Sequence, residues 1–320
     1  MSICDYLTTF KAVNSISDDL LLNIIESNFK MYLDWCFLNI GGWFDAQIAY
    51  SGAIHSSLHP YSTLLLTDDD NYSYGQVWQG IRKEWVWESG VSYNGNNPIR
   101  ISGVYVNNNF NSYPSGNFTV DYPLGRVIFN NPIATGSSVK ANYSYRYVQT
   151  YRASDSPWFN IIQFASMQTD NPDITQINDG NWSIGGNHRV QLPAIMIESL
   201  PRARQRPYEI GSNALIIDQS LSFRILAENK NDRNKLLDII RSQQDATIAL
   251  YDTNKIAQDN LFPLDANGDL TVNPLMYPDL LCRYLWRKCW IKNVDFVEID
   301  SIHHNFHQGE ARVTLEIISV

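Results

Sequence analysis

The chain has few cysteines and lacks the motifs of the common enzyme classes. Its 320 residues include Cys4, Cys36, Cys282 and Cys289, with no CxxC pair and no zinc-binding spacing. So few cysteines in a chain of this length indicate free thiols in a reducing compartment. No GxSxG, Walker or GxGxxG motif is present, so the sequence predicts no enzymatic activity and no cofactor.

Targeting and membrane-spanning segments are also missing from the sequence. The N-terminus, Met1-Ser2-Ile3-Cys4-Asp5, has neither the basic segment nor the apolar stretch of a signal peptide. No apolar run approaches the length that a bilayer requires. We therefore expect synthesis and folding in a cytoplasm, and no membrane partner.

Acidic residues outnumber basic residues, and this restricts the partners that the chain can bind. The formal net charge is −9, from 33 acidic and 24 basic residues. Tight wrapping on nucleic-acid phosphates needs clustered lysine and arginine, so the charge argues against that function. An acidic protein can still line a channel through which DNA slides without sequence-specific binding.

What the chain does contain is aromatic residues and a well-marked β-hairpin. It has 18 Tyr and 9 Trp, residue types that suit both cores and interfaces. Residues 117–122 and 126–129 predict two strands joined by a turn at Pro123-Leu124-Gly125. A module rich in β-strands is expected from 76 to 152, as a small barrel or sandwich. Trp85 and Trp87 would share one side of an extended segment in it.

A long alternating segment follows the hairpin and predicts one strand from 139 to 151. Its aromatic face carries Tyr143, Tyr145, Tyr147 and Tyr151. Two interpretations stay open: this face is the inner surface of the β-rich module, or it projects beyond shorter partner strands and contacts another subunit. On the second interpretation the four tyrosines, Trp85 and Trp87 are interface candidates.

The remaining segments complete an α+β prediction. Residues 1–75 contain a helix that Ser17-Asp18-Asp19 would cap and Gly41-Gly42 would end, followed by a loop region. Residues 153–189 are expected to be a linker with one short helix. Residues 190–320 predict an α+β domain with a mainly antiparallel sheet and one packed helix, which Asn231 or Asp232 would cap.

Two polar clusters are further candidates for function. His303 and His307 share a face if their segment is extended, but no nearby ligand completes a metal site, so the sequence favours a turn and no metal. Arg202, Arg204 and Arg206 lie in a predicted loop between two prolines and would point to one side if it is extended. The three arginines could be solvated, contact an acidic partner subunit, or contact DNA.

The hairpin supports a family resemblance. The run from Val120 to Phe129, followed by Ser138 to Tyr145, resembles a pattern in structural proteins of tailed bacteriophages, especially of the neck and tail. The segment Leu221 to Tyr251 is similar in outline to tail-terminator proteins. The resemblance covers about half the chain and is specific only in the hairpin.

The resemblance implies a virion component without enzymatic activity, assembled in the cytoplasm of a bacterial host. It would form a homo-oligomeric ring, with a hexamer favoured over a dodecamer, at the head-to-tail connection or as a tail terminator. Its partners would be other neck, connector and tail tube or sheath proteins, and DNA that passes through. The alternatives are a baseplate or peripheral virion protein whose β-rich module binds carbohydrate or proteins, and a hydrolase with an unrecognised site.

Overall fold

A computed structural model describes residues 15–48, 61–114, 116–165, 172–178, 180–186, 188–209, 214–297 and 299–319. The helices are α1 (Leu21–Asn39), α2 (Phe159–Phe164), α3 (Lys230–Arg241), α4 (Thr253–Asp259) and α5 (Tyr277–Tyr284). The first nine strands are β1 (Trp43–Ala46), β2 (Thr63–Leu66), β3 (Val77–Gln79), β4 (Gly103–Val106), β5 (Asn109–Ser112), β6 (Phe118–Asp121), β7 (Arg126–Phe129), β8 (Val139–Ala141) and β9 (Tyr143–Arg146). The other nine are β10 (Gln149–Arg152), β11 (Ile174–Asn178), β12 (Asn181–Ile184), β13 (His188–Gln191), β14 (Ala194–Pro207), β15 (Leu215–Ala227), β16 (Thr247–Tyr251), β17 (Leu285–Val297) and β18 (His307–Ser319). The fold is α+β, as the sequence predicts.

Helix α1 ends where its glycines predict but begins differently. Gly41 has a φ of +81°, and the N–H of Gly42 donates to the carbonyl of Phe37 at 2.8 Å, which closes the last turn. The predicted cap is wrong, because the helix starts after Leu20 with no capping side chain. The Asp18 carboxylate accepts instead from the N–H of Ser15 at 3.0 Å. None of the helices in the described residues has the length and apolar character to cross a bilayer.

The β-rich module is a seven-stranded antiparallel sheet with the order β5-β4-β8-β2-β3-β7-β6. The predicted hairpin is confirmed as β6 and β7, which pair from Phe118 with Phe129 to Asp121 with Arg126. Gly125 has a φ of +63° in the connecting turn, a conformation that favours glycine. Strand β2 lies before residue 76, so the sheet recruits a strand from outside the predicted module.

The predicted long strand is three short strands, and each belongs to a different sheet. β8 lies inside the seven-stranded sheet, β9 pairs with β1, and β10 pairs in parallel with β14. The alternation of side chains is real, but the pairing partners change along the segment. The segment therefore connects the module to the C-terminal sheet, and it does not project beyond its partners.

The C-terminal sheet has six strands in the order β10-β14-β15-β18-β17-β16, and only β10 pairs in parallel. One face is apolar and packs against α1 and α3, with Phe29 and Phe223 in contact across the core. The N-cap of α3 is Asn229, whose side chain accepts from the N–H of Asp232 at 2.8 Å. The prediction of Asn231 or Asp232 as the cap is therefore wrong by two or three residues.

The predicted linker region contains the expected short helix, α2, and also an unexpected sheet. Strands β11, β12 and β13 form a three-stranded antiparallel meander. Trp182 is fully buried between this meander and the half of the C-terminal sheet that carries Met196 and Leu226. The sequence does not predict these strands, because the segment is rich in polar residues that are typical of loops. The domain boundaries themselves stay a prediction.

Candidate interaction surfaces

The aromatic interface candidates of the β-rich module are mostly buried inside the chain. Trp85, Trp87, Tyr143 and Tyr145 each expose 5% of their surface or less. The interpretation of the tyrosine face as an inner surface is therefore correct for these residues, and they are not available to a partner of the folded chain. A carbohydrate site built on Trp85 and Trp87 is excluded for the same reason.

Tyr147 and Tyr151 are half-buried and also have partners within the chain. Tyr147 packs edge-on against Phe44, with ring centroids 5.5 Å apart. Tyr151 packs in the same way against Trp158, at 5.5 Å. Both tyrosines lie where the module meets the C-terminal part of the chain, so they stabilise that junction.

The histidine cluster forms a turn, as the sequence favours. The N–H of Asn305 donates to Nδ1 of His303 at 3.1 Å, and Nδ1 of His307 lies 3.2 Å from the hydroxyl of Ser301. His303 and Phe306 form an isolated bridge that closes the turn. Within the described ranges, no group of three or more His, Cys, Asp or Glu side chains could hold a metal ion.

The predicted basic loop is a strand, because residues 201–207 belong to β14. The prolines are accommodated because Pro201 lies in a register shift between Ser199 and Ala203, and Pro207 ends the strand. Arg204 and Arg206 are exposed on one face of the strand, as their spacing predicts. The side chain of Arg202 lies outside the described residues.

Arg206 belongs to an ion ladder that crosses four strands. Its Nη2 lies 2.9 Å from Oε2 of Glu316, and the same carboxylate oxygen lies 3.2 Å from Nζ of Lys292. Lys292 also reaches Oδ1 of Asp218 at 3.4 Å. Asp218 lies opposite Arg204 in the sheet. Arg206 and Lys292 are thus neutralised by Glu316 and Asp218 at the surface.

Two large apolar side chains lie on the same face as the ladder. Trp290 lies opposite Glu316 and exposes 36% of its surface, and Ile318, two residues after Glu316, exposes 44%. Residues directly opposite one another on paired strands share a face of the sheet. We call this surface the charged sheet face; it consists of Arg204, Arg206, Asp218, Trp290, Lys292, Glu316 and Ile318.

A second exposed feature is the edge of the seven-stranded sheet. Strand β5 lies at that edge, and all four of its side chains are exposed. Phe110 exposes half of its surface and contacts Tyr105 of the neighbouring strand, with ring centroids 5.0 Å apart. An edge strand can pair with a strand of another chain. The sequence patterns do not predict this edge strand.

A buried ion network fixes the module against α1. Nη2 of Arg146 donates to Oε1 of Glu88 at 2.5 Å, and both side chains are buried. Lys30 Nζ lies 2.8 Å from Oδ2 of Asp34, and Thr150 donates to the other Asp34 oxygen. Lys30 and Asp34 are one helical turn apart, but Thr150 and Asp34 are 116 residues apart, so sequence patterns do not predict the contact between the module and α1.

Asp34 and Glu84 both lie near the cations Lys30 and Arg146, yet their pKa values shift in opposite directions. Burial raises the pKa of Asp34, but the nearby charges of Lys30 and Arg146 outweigh burial, and the pKa lies below its ordinary value. Burial dominates at Glu84, so its pKa lies above the ordinary value despite the same two cations. The network therefore stabilises Asp34 as a carboxylate, whereas burial disfavours the charge on Glu84.

Comparisons with known proteins identify no relative of the chain. No protein-family model, curated protein or solved structure matches it.

Proposed function

We propose that the chain is a structural component of a tailed bacteriophage particle. It forms a homo-oligomeric ring, with a hexamer favoured, at the head-to-tail neck or the tail end, and DNA passes through the ring. The hairpin of β6 and β7, which carries the family resemblance, supports this proposal. The charged sheet face is the observation that carries it, because it offers a surface for a second copy.

The composition of the charged sheet face favours a protein partner. Arg206 and Lys292 are already paired with Glu316 and Asp218, and Arg204 lies opposite Asp218, so the face offers little free positive charge for phosphate contacts. Trp290 and Ile318 add apolar area beside these pairs. Exposed aromatic residues surrounded by polar groups are typical of protein interfaces.

A closed ring requires two different patches on each subunit, one for each neighbour. The charged sheet face lies on the six-stranded sheet, whereas edge strand β5 belongs to the seven-stranded sheet. We infer that these two surfaces make the contacts to the two neighbouring copies. The net charge of −9 then keeps passing DNA from adhering to the assembled ring.

Electron microscopy of the purified protein tests this proposal. Class averages of negatively stained particles should show rings with a central opening and a single rotational symmetry. Trp290→Arg should remove the rings, because it replaces the apolar contact area of the indole with a charged side chain that is costly to bury. Val272→Arg is the matched control, since Val272 exposes 86% of its surface outside the charged sheet face. Particles without rings in the unmodified protein would contradict the proposal.

A further inference from the structure

A half-open cleft of about 550 Å³ lies where the hairpin turn, α1, β10 and β13 meet. Its volume lies within the size range of small-molecule sites. Its charged lining has five basic side chains and three carboxylates: Lys30, Lys83, Arg126, Arg152 and Arg189, with Asp69, Glu84 and Asp155. The excess of cations contrasts with the acidic chain as a whole.

Three of the five cations are neutralised by ion pairs. Lys30 pairs with Asp34 at 2.8 Å, and Arg126 pairs with Asp69 at 2.6 Å. Arg152 pairs with Asp155 at 2.7 Å. These pairs account for two of the three carboxylates in the cleft lining, and leave Glu84, on which burial disfavours the charge.

Lys83 and Arg189 are the two remaining cations, and they contact only neutral oxygens. Lys83 Nζ donates to the carbonyl of Arg189 at 3.1 Å, and Arg189 Nη2 donates to the carbonyl of Gly80 at 3.1 Å. Neither forms an ion pair with a carboxylate in the parts of the chain that the structure describes. Lys83 exposes only 9% of its surface. A buried cation without a counter-charge is costly.

The pKa values of both groups reflect this environment. Burial lowers the pKa of Lys83 to about 8, with the Arg189 charge adding to the effect and Glu84 opposing it. Burial also lowers the pKa of Arg189 to about 10. A bound anion would supply the missing negative charge and favour the protonated form of each.

We infer that this cleft binds a phosphate group, with Lys83 and Arg189 as its ligands. An arginine fork and a lysine ammonium are the side chains that commonly bind phosphate oxygens in proteins. The volume exceeds that of one phosphate ion, so the cleft accommodates a phosphorylated small molecule. The half-buried ring of Tyr151 lines the same cleft and offers aromatic surface to the rest of such a molecule. The site is independent of ring assembly.

Calorimetry with the 320-residue protein tests this site. Inorganic phosphate and adenosine monophosphate are the two probes, with sodium chloride at equal ionic strength and adenosine as controls. Phosphate should bind and chloride should not, and tighter binding of the nucleotide would assign the aromatic surface to its base. Equal heats for phosphate and chloride in the unmodified protein would overturn the inference.

Two variants test whether Lys83 and Arg189 bind the phosphate. Lys83→Met and Arg189→Gln should each weaken phosphate binding roughly tenfold or more, since each removes a charge-assisted hydrogen bond. Lys255→Met is the matched control, because Lys255 is an exposed lysine on α4, and it should bind as the unmodified protein does. Lys83→Met also removes an unpaired buried charge, so it should fold, as circular dichroism can verify. Unchanged phosphate affinity in both cleft variants would contradict the assignment.

Discussion

The indole ring of Trp85 stacks on the phenol ring of Tyr143, with ring centroids 4.1 Å apart and planes inclined by 26°. Both residues are candidates for an intermolecular interface by sequence, and the structure places them against each other in one core. The hydroxyl of Tyr143 donates to the carbonyl of Tyr61 at 2.5 Å, so its polar end is also satisfied within the chain. These aromatic residues therefore stabilise the fold of the chain itself.

Tyr145 continues this core and offers a direct test of it. It exposes 3% of its surface and packs against Phe44 and Tyr61. Tyr145→Asp should lower the free energy of unfolding by about 3 kcal/mol or more, because it buries a carboxylate among aromatic rings. Tyr145→Phe keeps the ring and should cost about 1 kcal/mol. Urea denaturation measures both, and equal stability of the Asp variant would contradict the burial.

The buried pair of Arg146 and Glu88 should show strong coupling. Arg146→Met leaves Glu88 and Asp34 without their shared cation, so we expect a loss of about 3–5 kcal/mol in the free energy of unfolding. Adding Glu88→Met removes one of the two carboxylates that Arg146→Met leaves without this cation. The double variant should then be less destabilised than the sum of the single variants. Denaturant titration of all four proteins gives the coupling, and strict additivity would show that the pair is not energetically linked.

Lys83 predicts a specific dependence of stability on pH. Its pKa is about 8 in the folded protein and 10.5 ordinarily, so between these values the unfolded state binds more protons. The free energy of unfolding should therefore rise with pH in this window, by at most about 1.4 kcal/mol per pH unit from this group. Lys83→Met should lack that rise. Comparing the two proteins cancels the tyrosines that titrate in the same range, and parallel pH profiles would contradict the lowered pKa.

The thiols should differ in reactivity according to their burial. Cys289 is buried, and burial raises the pKa of its thiol to about 12, whereas Cys282 is exposed. Iodoacetamide should modify Cys282 in the native protein and Cys289 only after denaturant is added. Peptide mass spectrometry locates the modified residues. Modification of both thiols at similar rates without denaturant would contradict the described packing of β17.

Local signals in the sequence predict several elements of the fold. Gly41 marks the end of α1 and Gly125 marks the hairpin turn, because each has a positive φ, a backbone conformation that few other residues adopt. Alternation predicts β15 and β18, and helical spacing predicts α3. These features depend on neighbouring residues alone.

Features that depend on distant partners are not predicted. The segment from Val139 to Arg152 alternates throughout, yet its partners change from β4 and β2 to β1 and then to β14. Residues 201–207 look like a loop because of their prolines, and only pairing with β15 makes them a strand. The charged sheet face joins residues of four strands, and the Lys83–Arg189 cleft joins four elements. The alternation of side chains along one segment does not indicate which distant segments that segment will contact.

Native mass spectrometry of the purified protein tests the central proposal most directly. We expect one dominant closed oligomer, with six times the 36.6 kDa subunit mass favoured. Trp290→Arg should shift the protein to a folded monomer, and Val272→Arg should keep the oligomer. An unmodified protein that stays a 36.6 kDa monomer at high concentration would contradict the ring, and glycan binding by that monomer would favour a peripheral virion protein.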